Sequence, residues 1–145
     1  SQKRAAVAAL DDCIALSTSN QFWDHAERGA LFQNFILAHE IGHLILDHHA
    51  TGAVNKNFKL FDDETGIANI PPTVEELEAN YAAVFFQCGV TLLAPGLNAK
   101  KDAYRIARKA FSDPFYVEKA IKICQLDAFT SEWQRLSTGI QRVVL

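Results

Sequence analysis

Leu37-Ala38-His39-Glu40-Ile41-Gly42-His43-Leu44-Ile45-Leu46 is the stretch on which the reading of this chain turns. It carries His-Glu-x-x-His inside an apolar run, Phe35 to Leu46, with the composition of a helix buried in a core. Residues four apart share a helix face, so His39 and His43 can present two imidazoles to one metal ion. Glu40 is rotated by about 100° from His39, which sets its carboxylate beside such an ion, where it can hold and deprotonate a water. The alternative is a pair of core histidines satisfied by hydrogen bonds. Two imidazoles and a carboxylate are costly to bury unless they are paired or bound to metal, and this favours the metal reading. Gly42 costs ~1 kcal/mol relative to Ala in a helix interior. Its missing side chain lets another element, or a substrate, come close beside the metal.

The composition sets the frame. The 145 residues make about one domain, long enough for a real core, with a motif region over about 30–95 and C-terminal helices over about 98–145. Apolar residues are 49% and charged residues 21%, as in ordinary globular proteins. The net charge of −3 gives no global attraction to nucleic acid or anionic membrane. Cys13, Cys88 and Cys124 are widely spaced, odd in number and lack a Cys-x-x-Cys pair. They read as reduced, mostly buried thiols of an intracellular protein, not as a disulfide frame or a cysteine zinc site. No signal peptide is visible, and no apolar run reaches transmembrane length.

The Ala-rich residues 3–10 favour a short helix. Residues 13–18 fit either its continuation or a short strand. Ser19-Asn20 is a break with capping character, and residues 21–29, with a surface His25, read as a loop or helical turn. The motif helix is predicted from about residue 30 to Asp47 or His48. His49 lies ten residues after His39, the third-ligand position of HExxHxxGxxH, but Leu46 stands where that pattern needs a turning Gly. A continuing helix carries His49 about 15 Å along the axis, out of reach of the same ion. His48 and His49 are therefore read as cations stabilising the helix C-terminus. Residues 50–57 form a loop, Phe58-Lys59-Leu60-Phe61 fits an edge strand, and residues 62–69, with Asp62, Asp63 and Glu64, read as a solvated acidic loop.

Pro71-Pro72-Thr73 announces a second helix with Thr73 as N-cap, running to about Leu93 before Ala94-Pro95-Gly96. This helix is the best source of a third ligand. Glu76 shares a face with Asn80, so Glu76 can bind the ion while Asn80 orients one of the ligands. Glu78 lies about 200° away on the helix wheel and competes for the role, as does His49; Glu75 reads as solvated. Glu76 also occupies the capping-box position three residues after Thr73, a rival structural use. Further on, residues 99–111 alternate Tyr104, Ile106, Ala107, Ala110 and Phe111 with Lys100, Lys101, Arg105, Arg108 and Lys109. This is an amphipathic helix whose basic face is solvated or docks an acidic partner. Asp113-Pro114 opens another helix, to about Leu126, and residues 131–136 fit a last short one.

The motif pair resembles the ImmA/IrrE family of zinc metallopeptidases. The resemblance rests on Phe35 to Leu46, on Glu76-Leu77-Glu78-Ala79-Asn80-Tyr81-Ala82-Ala83, and on Leu92-Leu93-Ala94-Pro95, before which Cys88-Gly89-Val90-Thr91 stands as an insertion. It implies a zinc ion held by His39, His43 and Glu76, with Glu40 as general base and acid. It also implies a cytoplasmic peptidase that cleaves a helix-turn-helix transcriptional repressor. The competing function is a metal-stapled, non-catalytic module that sequesters a regulatory partner. Retention of Glu40 favours the enzyme. The expected fold is α+β, mainly helical and zincin-like, with the two ligand helices beside a small antiparallel sheet of two or three strands.

Overall fold

Ala5–Ala9, within the Ala-rich residues 3–10, form a strand and not the short helix their composition predicts. In the computed structural model, which describes residues 5–9, 13–48, 56–57 and 73–144, β1 (Ala5–Ala9) runs antiparallel to β2 (Ile14–Thr18). Ala5 lies opposite Thr18 and Ala9 opposite Ile14. The two-residue β3 (Lys56–Asn57) pairs with the other side of β1, with Val7 opposite Lys56. A helix of eight residues is marginal on its own. As a strand, this segment instead gains ladder hydrogen bonds on two sides and buries Ala5 against Phe22 and Ile36.

Six helices make up most of the remaining described residues, so the protein is mainly helical. Residues 21–29 are more regular than the expected loop or turn. Ser19 caps α1 (Asn20–Glu27), its Oγ accepting from the Phe22 N–H at 3.1 Å. Asn34 Nδ2 donates to the carbonyls of Ala26 and Ala30 and ties α1 to α2 (Leu31–Ile45). Thr73 caps α3 (Val74–Leu92), in which Gly89, with φ 68° and ψ 154°, breaks the helical path within the stretch read as an insertion. Only a residue without a side chain enters that region cheaply.

Asn98 caps α4 (Ala99–Ala110) and Asp113 caps α5 (Pro114–Cys124). The cations of α4 are exposed, and Tyr104 stands with them instead of in the core. The last helix, α6 (Asp127–Val144), is far longer than the predicted 131–136. Gly139 is its one strong helix-weakener, and the cost of about 1 kcal/mol does not stop it.

The main core joins α2 to the C-terminal helices. Phe35 and Ala38 of α2 pack with Ala83 and Val84 of α3, Ile106 and Ala107 of α4, and Val117 and Ile121 of α5. A smaller cluster on the other side holds Ala5, Phe22 and Ile36. The motif helix is thus covered on two sides, which is why its apolar residues run nearly all the way round. Among the described residues, no helix is long and apolar enough to cross a membrane. The expected edge strand at 58–61, the acidic loop at 62–69 and His49 lie outside the described residues.

Candidate metal centre

Helical periodicity alone brings His39 and His43 together. Their Nε2 atoms are 2.9 Å apart, and both side chains are buried. Glu76 comes from the first turn of α3, and its carboxylate straddles the pair. Oε2 lies 3.2 Å from His39 Nε2, and Oε1 lies 3.3 Å from His43 Nε2. These three side chains form a group that could hold a metal ion. Glu76 also answers to the cap, but with a different part of itself: its backbone N–H donates to Thr73 Oγ1 at 3.3 Å. Only the Thr73 half of a capping box is seen, because the Glu76 carboxylate that would reach back to the cap lies at the histidines instead.

The approach of α3 to α2 depends on Gly42. A Cβ built there would meet the Ala79 carbonyl oxygen at 2.8 Å and Ala82 Cβ at 3.2 Å. The element that comes close beside the histidines is therefore the very helix that carries Glu76.

Each imidazole is held from behind. His39 Nδ1 donates to Asn80 Oδ1 at 2.7 Å, and Asn80 Nδ2 donates to the Tyr116 hydroxyl at 2.9 Å. The Tyr116 ring stacks on Phe35, with centroids 5.4 Å apart, so the C-terminal helices reach the site through α5. His43 Nδ1 lies 2.8 Å from His48 Nδ1, and His48 Nε2 lies 3.0 Å from Glu78 Oε2.

Electrostatics suit a cation. Burial pushes the His39 pKa down and the neighbouring His43 adds to this, against opposing pulls from Glu76 and Asn80; the ring favours the neutral, ligating form. For Glu76, burial would raise the pKa, but hydrogen bonds and charge attraction from His39 and His43 outweigh it and bring it to about 2. Those bonds to Glu76 use Nε2–H protons, which metal binding would displace; with His39 Nδ1 donating to Asn80, the neutral His39 ring then offers its Nε2 lone pair to an ion shared with Glu76 and His43. Ligands of a tetrahedral ion at about 2.1 Å are separated by roughly 3.4 Å. Both Glu76 contacts come within about 0.2 Å of that spacing, and the histidine nitrogens would part by about half an ångström. Glu40 is buried in α2, one residue on from His39.

Several residues stand elsewhere than expected. The motif helix ends at Ile45, and His48, expected to serve the helix C-terminus, is buried against His43 and Glu78. The cause is Asp47, whose φ of 56° reverses the chain. The His48 N–H then reaches the His43 carbonyl and the Asp47 N–H the Leu44 carbonyl, the pattern of a Schellman cap. The signal in the sequence was Asp47 itself, since Asp tolerates left-handed backbone better than most residues. Glu78 meets His48 and not the three-residue group. Glu75 is partly buried rather than solvated, and His25, on α1, is partly buried and outside the group. Of the cysteines, Cys124 is buried, Cys88 partly so, and Cys13 is exposed, contrary to the expectation for it.

No family model, no curated protein and no solved structure matches the chain.

Proposed function

We propose that this protein is a zinc-dependent endopeptidase with a zincin-like arrangement of its two ligand helices, acting in the cytoplasm on a protein such as a helix-turn-helix repressor. The observation that carries the reading is the meeting of His39 and His43 with Glu76, an acidic residue from a different helix, in a motif whose Glu40, next to His39 in sequence, is also buried. The resemblance of both motifs to the ImmA/IrrE family supplies the substrate class. A purely structural metal site has no use for Glu40.

Two imidazoles and one carboxylate leave a fourth position open, as catalytic sites do. Zinc held there supplies Lewis acidity, lowering the pKa of a coordinated water toward about 7 and polarising a peptide carbonyl. A carboxylate oxygen of Glu40 orients the attacking water, takes its proton and delivers it to the leaving amine. Asn80 holds the His39 ring in the tautomer that keeps Nε2 free of a proton.

The test is metal content by elemental analysis together with cleavage of a mixed peptide library read by mass spectrometry. Wild type is expected to hold about one zinc per chain, Glu76→Ala to lose it, and Glu40→Gln to keep it while cleavage falls by about 10²- to 10⁴-fold. Zinc retained in full by Glu76→Ala would move the third ligand elsewhere. Zinc bound with no cleavage beyond that of Glu40→Gln would overturn the peptidase and leave a metal-stapled module that sequesters a partner.

A further inference from the structure

His48 is a buried histidine that the motif does not explain. It is buried, yet its partner Glu78 keeps a side chain that is 53% exposed. On an uninterrupted helix His48 would sit about 140° around from His43 and could not meet it. The turn at Asp47 brings it back, and the contact joins the two Nδ1 atoms, on the side of the His43 ring away from Glu76.

The protons along this chain can be counted. A carboxylate only accepts, so His48 Nε2 carries the proton that points at Glu78. In a neutral ring this leaves His48 Nδ1 bare, and a bare Nδ1 can only accept from His43. His43 then holds its proton on Nδ1, and its Nε2, facing His39 and Glu76, is a lone pair. Each hydrogen bond in the series determines the next, from an exposed carboxylate to a buried ligand atom.

We infer that His48, set by Glu78, is a positioning residue that fixes the His43 tautomer and ring orientation for metal binding. This rests on the metal reading proposed above. It assigns the segment after the motif helix a task of its own: the second ligand is oriented from the helix C-terminus, as the first is oriented by Asn80 from α3. Outer partners of this kind usually change metal affinity by roughly 10- to 100-fold when removed.

The experiment is a zinc titration of the full chain in competition with a chromophoric chelator, for wild type, His48→Ala, His48→Asn and Glu78→Ala. His48→Ala is expected to bind roughly 10- to 100-fold more weakly. His48→Asn should recover part of the loss, because its Oδ1 replaces Nδ1 as acceptor. Glu78→Ala, on an exposed carboxylate, should fall between wild type and His48→Ala with unfolding of the metal-free protein unchanged. Imidazole nitrogen spectra should show a proton on Nδ1 of His43 and on Nε2 of His48, a signature that a merely structural role would not require. Should His48→Ala fail to fold, Glu78→Ala and the spectra decide. Zinc bound equally by wild type, Glu78→Ala and a folded His48→Ala, or a proton on His48 Nδ1, would overturn this inference alone. Wild type that takes up no zinc would overturn the metal reading and this inference with it.

Discussion

At position 42 a side chain would collide with backbone, and the collision would fall between the two helices that supply the metal ligands. Gly42→Ala gains up to about 1 kcal/mol in helix propensity. It also forces the Ala79 carbonyl away from a contact of 2.8 Å, and overpacking of this kind costs ~1–3 kcal/mol. Thermal unfolding should therefore show net destabilisation, and zinc should bind more weakly because Glu76 moves away with α3. Stability at or above wild type would mean that the helices part freely. The cysteines differ for a related local reason. Burial pushes the Cys88 thiol up to about 11, partly countered by a hydrogen bond with Ser112, so it is thiolate only at roughly one part in a thousand at pH 8. Exposed Cys13 should take iodoacetamide first in peptide mapping, and Cys88 labelling should rise about tenfold per pH unit until near 11. Equal labelling of Cys13 and Cys88 at pH 8 would show that the packing around Cys88 opens readily.

At the scale of the element, helix ends do more here than stop helices. Thr73 begins α3 so that the third helical residue, Glu76, gives its N–H to the cap and its carboxylate to the histidines. Asp47 ends α2 in left-handed backbone and turns His48 inward. Asp47→Gly should leave stability level or slightly higher, since Gly enters this region without strain. Asp47→Val should cost about 1–2 kcal/mol from left-handed strain alone. The two variants compared by thermal unfolding check the cap. A Val variant as stable as the Gly variant would show that the turn does not need left-handed backbone at 47. The same comparison made by zinc titration should separate them further, because His48 reaches His43 only through this turn.

At the scale of the molecule, the motif helix is held between the cluster of Ala5, Phe22 and Ile36 on one side and the main core on the other. An ion bridging α2 and α3 would then act as a cross-link between segments remote in sequence. Zinc at 100 times its Kd should add about 2.7 kcal/mol, and a chain of this size should show it as several degrees in Tm. Differential scanning calorimetry with and without a chelator checks this, with Glu76→Ala expected to lose the difference. A Tm indifferent to zinc in the wild type would count against a site preformed in the fold.

The face shared by His39 and His43 and the Thr73 cap were legible in the sequence, because helix periodicity and capping act over three or four residues. So was the pairing of Glu76 with Asn80 on one face of α3. The choice of Glu76 among the acidic candidates was left open by the residues, and it was the packing of α3 against Gly42 that set its carboxylate over both Nε2 atoms. Within residues 3–10, read as a helix by composition, Ala5–Ala9 form β1 because two flanking strands and a buried Ala5 outweigh a weak local preference. His48 and Glu78 were placed in roles that a straight helix allows, and one left-handed residue changed both. Local spacing determined which residues could face a metal, whereas the meeting of groups distant along the chain was decided by tertiary packing, since it depends on how closely the helices approach and where the chain turns.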